Sequence, residues 1–229
     1  MRHLSRIACM AVATALFSVP PSVSLLGLTS AAAQDERPPG AAVISKRPIA
    51  FRPPLRGAPS RRVGGATRRQ SAAVGLSVAA PENLAYAATD APTFYWRLDQ
   101  AAPRVVVTVI ADNAIDPLIE VELGPSPGGT FAYDMGRGRA RLAAGVDYEW
   151  SVAVVVNPDA RSEDIVSSAR IRHVPPGPDR TDIEALAAEG YWYDLVEALL
   201  GDAPEAAAQS NREAFVELAR NVGLTWPEP

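Results

Sequence analysis

Paired carboxylates are the one enzymatic option that the residue types and motifs of this sequence leave open. Residues 71–229 contain 24 Asp and Glu, of which Asp112, Asp116, Glu120 and Glu122 lie close together. Two carboxyl groups that face each other across a cleft, about 5–10 Å apart, can hydrolyse a glycosidic bond. The stretch "DNAID" lacks the spacing of a calcium loop, and scattered acids at strand edges also keep a protein soluble. The sequence therefore leaves a carboxylate-dependent, glycan-acting enzyme open and predicts no metal site or cofactor.

Other catalytic residue types are scarce. The chain has one cysteine, Cys9, and two histidines, of which only His173 lies beyond the N-terminal region. A transition-metal site normally needs at least two His or Cys ligands, and the Gly-x-Ser-x-Gly turn of many serine hydrolases is missing. His173 is therefore expected at the surface of a strand, and no catalytic residue is assigned.

The segment "RRVGGATRR" places four arginines, Arg61, Arg62, Arg68 and Arg69, around two glycines. A phosphate-binding loop would follow a strand and end in Lys and Ser or Thr, whereas this segment follows a proline-rich stretch and contains no lysine. The glycines are expected to turn the chain tightly into the first strand of a folded domain. The four arginines stay candidates for weak contact with an anionic surface.

Residues 1–33 have the order of parts found in a secretory signal peptide. Arg2 and Arg6 precede an apolar run, a Pro-Pro pair and three small residues at 31–33. The apolar run before the prolines, about 11 residues, is shorter than the roughly 20 that a membrane-spanning helix needs. The sequence predicts export to the periplasm, the cell surface or the medium, with cleavage after Ala33 and no transmembrane segment in the mature chain.

Residues 34–70 differ sharply in charge from residues 71–229. The first stretch is dense in Pro, Gly and Arg and carries nine basic and two acidic residues, a net charge of +7. The second carries eleven arginines and 24 acids, a net charge of −13. The first stretch is predicted to be a disordered linker that is simply solvated, folds back on the acidic domain, or binds an anionic membrane or envelope polymer. Nucleic acid is not expected as a partner, because the acidic domain would repel phosphate.

Residues 71–174 show the pattern of short β-strands. "TFYWRL" and "LIEVEL" alternate apolar and polar residues, "RVVVTVI" is apolar on both faces as in a central strand, and "IVSSARIRHV" is polar enough for an edge strand. About seven such strands predict an immunoglobulin- or fibronectin-like β-sandwich. No cysteine pair is present, which favours the fibronectin-like form. Trp96 and Trp150 are predicted to be core residues, one in each sheet.

Residues 175–229 change to helical periodicity. Thr181 and Glu184 have the spacing of a capping box, Gly201 follows the apolar repeat of "GYWYDLVEALL", and Gly223 follows the last one. The pattern predicts two or three helices that pack on the sandwich, and residues 71–229 form one folded unit of the α+β class.

The aromatic cluster "GYWYD", residues 190–194, has two interpretations. Tyr191, Trp192 and Tyr193 either lock the helix against the sandwich or edge a groove that binds a peptide or helix of a partner protein. The heavy use of aromatic residues in protein cores favours the lock, while the second interpretation keeps the three residues as binding candidates.

Five segments occur in an order typical of one bacterial family. They are "RRVGGATRR", "LSVAAPENLAYAATDAPTFYW", "LAAGVDYEWSVAVVV", "EGYWYDLVEALL" and "ELARNVGL". Over about residues 61–224 the chain resembles the secreted family called domain of unknown function 928. The resemblance brings no activity, substrate, cofactor or catalytic residue with it.

The scarcity of catalytic residue types and the tethering linker favour an exported, non-catalytic interaction module that binds a protein partner or an envelope polymer. The carboxylate-dependent enzyme on glycan is the alternative, and a purely structural envelope protein is a further one. The enzyme requires a cleft with two facing acids, which distinguishes it from the other two classes.

Overall fold

The computed structural model describes residues 48–54, 74–201 and 205–227, and in these ranges eight strands precede three helices. The strands are β1 (Leu76–Val78), β2 (Ala85–Ala87), β3 (Thr93–Leu98), β4 (Val105–Ala111), β5 (Ile119–Leu123), β6 (Gly129–Asp134), β7 (Asp147–Val154) and β8 (Ile165–His173). The helices are α1 (Ile183–Glu189), α2 (Trp192–Leu200) and α3 (Glu205–Asn221). The predicted α+β class is confirmed.

The strands form two sheets. The smaller sheet has the order β1-β3-β6 and the larger one the order β2-β8-β7-β4-β5. The neighbouring strands are antiparallel except for β2 and β8, which run parallel with Tyr86 opposite Arg172. β4 is central, as its β-branched residues predict. The prediction of β8 as an edge strand is wrong for its last three residues, Ile171–His173, because these pair with β2. A three-residue strand such as β2 gives no alternation to detect.

Aromatic residues fill the space between the two sheets. Phe94 of β3 stacks on Trp150 of β7, with ring centroids 4.6 Å apart. Trp96 stacks on Phe131 of the neighbouring strand β6 at 5.9 Å. Trp96 and Trp150 are fully buried, one in each sheet, which confirms their prediction as core residues. Such ring pairs add about 0.5–1.5 kcal/mol beyond the burial of their apolar area.

Local capping and one glycine determine the helix boundaries. Asp182 caps α1, because its Oδ1 accepts a hydrogen bond from Ala185 N at 2.9 Å. The capping residue is therefore one position after the predicted Thr181, whose hydroxyl donates to Asp179 at 2.8 Å instead. Gly190, with φ of +85°, ends α1 and lets the chain turn into α2. α2 then contacts both other helices as well as β2 and β3.

Residues 48–54, here called the arm, lie against the helices. Arg52 N donates to Ala187 O at 2.9 Å, and the Phe51 ring lies edge-on against Trp192 with centroids 4.8 Å apart. The arm differs in this respect from the disordered linker predicted over residues 34–70. The physical reason is that Ile49 and Phe51 add apolar surface to the core, which the polar average composition of the linker conceals.

Candidate functional site

The junction of α1 and α2 is fixed to the strands by hydrogen bonds. The carbonyl oxygen of Gly190 accepts a hydrogen bond from Tyr86 N at 2.9 Å. The Tyr191 hydroxyl donates to Val174 O at 3.1 Å. The first bond ties the junction to β2, and the second ties it to the residue after β8.

The next two aromatic residues reach further into the molecule. Trp192 Nε1 donates to Ala79 O at 2.8 Å. The Tyr193 hydroxyl accepts a hydrogen bond from Trp150 Nε1 at 2.7 Å and donates one to Arg170 O at 3.1 Å. Burial raises the pKa of Tyr193, because the phenolate would lose its hydration. The hydroxyl therefore stays protonated and keeps its role as a donor.

Asp194 is a buried carboxylate beside this cluster. Its Oδ2 accepts a hydrogen bond from Ala88 N at 2.7 Å. Its Oδ1 has no hydrogen-bond partner in the described part of the chain and lies 3.7 Å from Arg180 Nε. Burial raises the pKa of the Asp194 carboxyl, while the hydrogen bond from Ala88 and the charge of Arg180 oppose that shift. A raised carboxyl pKa is typical of a general acid, but a substrate cannot reach this buried side chain.

Residues 190–194 therefore act together as a lock between α2 and the sheets. Tyr191, Trp192 and Tyr193 are 5%, 0% and 3% exposed. A groove edge for a partner needs exposed aromatic faces, and the structure does not place these three side chains in that way. The peptide segment that Trp192 does contact is the chain's own arm, through Phe51.

The four candidate arginines of the linker cannot be placed in the same way. Arg61, Arg62, Arg68 and Arg69 lie outside the described residues. Their contact with an anionic surface stays a prediction.

Two of the four acids that cluster in sequence around β4 and β5 take part in surface ion pairs. Asp112 pairs with Arg170 of β8, and Glu122 Oε1 lies 3.2 Å from Arg104 Nε. Glu120 is exposed, as its alternation on β5 predicts. Surface pairs of this kind contribute about 0–1 kcal/mol each. Among the residues that the structure describes, no group of three or more His, Cys, Asp or Glu is placed to hold a metal ion.

His173 is buried, and its predicted surface position is wrong. It is the last residue of β8, and its Nδ1 lies 3.3 Å from Ala87 O of the covering strand β2. The sequence prediction failed for the same reason as the edge prediction for β8, because β2 is too short to be recognised as a strand.

An open cleft of about 480 Å³ lies between the outer face of the smaller sheet and the C-terminal half of α2. Thr93 and Tyr95 of β3 contribute to it, since they point away from the Phe94 side of the strand. Asp134 of β6 and Glu197 of α2 also line the cleft. Tyr95 itself is only 8% exposed, so the accessible surface of the cleft comes mainly from the charged side chains of Asp134 and Glu197, which are half-buried.

The carboxylate of Asp134 is already engaged at this cleft. Its Oδ1 accepts a hydrogen bond from Gly136 N at 2.7 Å, and its Oδ2 lies 3.3 Å from Arg137 Nε. Arg137 is itself largely exposed and lines the same cleft. The guanidinium of Arg137 therefore faces solvent, while the Asp134 carboxylate holds its Nε atom.

A second cleft of about 180 Å³ adjoins the first and shares Tyr95 with it. Arg97 of β3 and Arg212 of α3 line this second cleft together with Trp226. The Trp226 ring is held edge-on against Phe215 at 5.2 Å. We call the two clefts together the sheet–helix groove. One half holds two carboxylates and an arginine, and the other half holds two arginines.

A family model described as Domain of Unknown Function (DUF928) matches residues 57–227. The chain belongs to this family. The match confirms the resemblance predicted over about residues 61–224 and includes all eight strands and three helices described above. No curated protein and no solved structure matches the chain. None of the described helices is long and apolar enough to cross a membrane.

The DUF928 match includes the sheet–helix groove and the lock but begins after the arm, which ends at Pro54. Sequence reasoning missed the groove residues, because they come from four elements and form no cluster along the chain. One signal was present. Tyr95 is a large aromatic residue at an outward position of an alternating strand, which indicates that a further element covers part of that face.

Proposed function

We propose that this DUF928 chain is an exported, non-catalytic interaction module that binds a protein partner or an envelope polymer in the sheet–helix groove. The observation that carries the proposal is a pair of adjoining open clefts, in which charged side chains from β3, β6, α2 and α3 meet the half-buried ring of Trp226. The aromatic side chains of the lock are buried, whereas Trp226 is half-buried and Arg137 and Arg212 are exposed in the groove, so the groove is the better candidate for contact with a partner.

The composition of the groove supports a partner of extended shape. Tyr, Trp and Arg are enriched where proteins bind one another, and here Tyr95, Trp226 and Arg137 line adjoining clefts. The acidic residues lie in one half, while Arg97 and Arg212 lie in the other. A polypeptide segment or polymer that carries both signs of charge would match this arrangement.

The fold and the compartment belong to the same proposal. We infer that the strands form an immunoglobulin- or fibronectin-like sandwich, and the support is two mainly antiparallel sheets that meet across Phe94 and Trp150. Export is supported by the sequence of residues 1–33, which has the parts of a signal peptide.

A glycan-acting enzyme is the second candidate, because Asp134 and Glu197 line the same cleft. A glycosidase needs one carboxyl group as the acid and a second as nucleophile or base. The oxygens of Asp134 are occupied by Gly136 N and Arg137, which favours binding over catalysis.

Capture from envelope extract tests the proposed function. The mature chain, residues 34–229, is immobilised and compared with the Arg137→Ala/Arg212→Ala variant at low and moderate salt. We expect the double variant to lose most of the captured partner. Arg139→Ala is the matched control, since Arg139 is exposed and close to Arg137 in sequence but does not line the groove.

Two results would contradict the groove as the binding site. One is an equal loss of capture in the Arg139→Ala control. The other is capture that requires residues 34–70 and fades with salt, because that behaviour belongs to an electrostatic tether. Hydrolysis of an envelope glycan by the unmodified chain, abolished by Glu197→Gln, would favour the enzyme instead.

A further inference from the structure

The arm occupies a site of its own on the helices. The cavity beside it, about 390 Å³, is lined by residues of the arm and of α1, among them Ile49, Arg52, Ile183 and Ala187. None of its lining residues belongs to the sheet–helix groove. We call the surface under the arm, formed by α1, Gly190 and Trp192, the arm site.

Three different contacts hold the arm. The Phe51 ring packs on Trp192 at 4.8 Å, and Arg52 N donates to Ala187 O at 2.9 Å. Pro54 lies directly over Gly190, where an added Cβ would be 2.9 Å from the Pro54 Cδ atom. A ring pocket, a main-chain acceptor and a gap for proline are the kinds of contact by which proteins recognise extended peptides.

These contacts hold the arm, but the arm does not fill the space between itself and α1. The cavity between the arm and α1 stays open, and Pro48, Ala50 and Arg52 are exposed. Only Ile49, Phe51 and Pro54 are partly buried, so the arm packs on the outside of the core through a few residues.

We propose that the arm site recognises an extended segment with the pattern aromatic–x–x–Pro, and that residues 48–54 of a second copy of the chain fill it in an arm-exchanged dimer. The same contacts form whether the arm comes from the same copy or from the partner, so exchange requires no new interface.

Chain length and charge support exchange between copies. The stretch from residue 55 to residue 73, about 19 residues, joins the arm to the sandwich and has a maximal reach of roughly 60 Å. Residues 34–70 carry a net charge of +7 and residues 71–229 one of −13. The basic stretch of one copy is therefore attracted to the acidic body of another. The docked arm of the same copy competes through its high effective concentration, so exchange grows with protein concentration.

Complementation between two full-length mature variants tests the exchange. Phe51→Ala removes the anchor of the arm and keeps the arm site. Gly190→Ala obstructs the arm site and keeps the arm, because the new Cβ would lie 2.9 Å from the Pro54 Cδ atom, closer than two carbon atoms can approach. Arg52→Ala is the matched control, since its exposed side chain is lost and its main-chain donor stays.

Light scattering after size-exclusion chromatography gives the readout. At a concentration where the unmodified chain and Arg52→Ala form dimers, we expect each of the other two variants alone to stay monomeric. Their equimolar mixture should regain dimer, because the intact arm of one fits the intact site of the other. A mixture that stays monomeric, or either variant dimerising alone, overturns arm exchange.

Peptide binding tests the arm site without relying on the folding of the Gly190 variant. A synthetic peptide of residues 46–56 is titrated into the full-length Phe51→Ala chain and into the unmodified chain, and fluorescence anisotropy is measured. We expect at least tenfold tighter binding to Phe51→Ala, whose site is vacated, and none by the peptide that lacks Phe51. Equal binding to both chains, or no binding to either, overturns the arm site.

Discussion

The lock and the sheet–helix groove lie at the two ends of α2 and differ in how far their polar groups are open to solvent. At the N-terminal end, Trp192 and Tyr193 are buried, and their polar atoms bond to the protein's own strands. Near the C-terminal end, Glu197 lines an open cleft with Tyr95 and Arg137. The difference teaches that an aromatic cluster along the chain indicates where the fold closes on itself. An open site can instead be assembled from single residues of several elements.

Truncation of the lock should have the largest effect on stability. We expect Trp192→Ala to lower the free energy of unfolding by about 3–5 kcal/mol, because a fully buried indole and its hydrogen bond to Ala79 are lost. Trp226→Ala is the matched change in the groove, where the ring is only half-buried, and its loss should be much smaller. Urea denaturation measures both, and equal losses would remove the distinction between the two regions.

Removal of one hydroxyl from the lock should have the next largest effect. Tyr193→Phe leaves Trp150 Nε1 and Arg170 O without their partner, so we expect a loss of about 1–3 kcal/mol. Tyr133→Phe, at a half-buried position beside the groove, should change stability by less than about 0.5 kcal/mol. Thermal unfolding distinguishes the two variants. A neutral Tyr193→Phe would show that the lock depends on packing alone.

The pH dependence of the lock should follow the raised pKa of Asp194. Because burial raises this pKa above its value in the unfolded chain, the native state binds the proton more tightly. The contribution of Asp194 to stability is therefore largest below its unfolded pKa and is lost as pH rises through the folded pKa. The free energy of unfolding of Asp194→Asn, relative to that of the unmodified chain, should consequently be more favourable at pH 7 than at pH 3.5. Urea denaturation at both pH values checks this, and the reverse order would contradict the shift.

Substitution in the groove should have the smallest effect on stability. Arg137 is largely exposed and pairs only with Asp134 in the described contacts, so Arg137→Ala should change the free energy of unfolding by less than about 0.5 kcal/mol. Chemical denaturation measures the stability, alongside the capture assay proposed above. A large destabilisation would mean that the groove, like the lock, is part of the structural core.

The residue pattern along the sequence predicted those parts of the fold that depend on residues close to one another in the chain. The β-branched run of β4 and the alternation around Trp96 and Trp150 indicated their positions correctly, because each strand's periodicity reflects its own burial. The glycine at position 201 likewise marked the end of α2.

The remaining features depend on contacts between distant residues. The three residues of β2 become a strand only beside β8, and that pairing also buries His173. The arm is held by residues far along the chain, among them Trp192 beneath Phe51 and Ala187, which accepts from Arg52 N. The groove has the same property, since Arg97 and Arg212 meet only when α3 packs near β3. No local window contains these contacts.

The parallel pairing of β2 with β8 also determines when the domain can form during synthesis. It joins residues 85–87 to residues 171–173. Tyr86 N donates its hydrogen bond to Gly190 O, which comes later still in the chain. Such distant contacts must overcome a large loop-closure entropy and are typical of chains that fold in milliseconds to seconds. A nascent chain that has reached only β7 holds neither partner. Most of the molecule must therefore leave the ribosome before β2 can pair, whereas β1 finds its partner β3 much earlier.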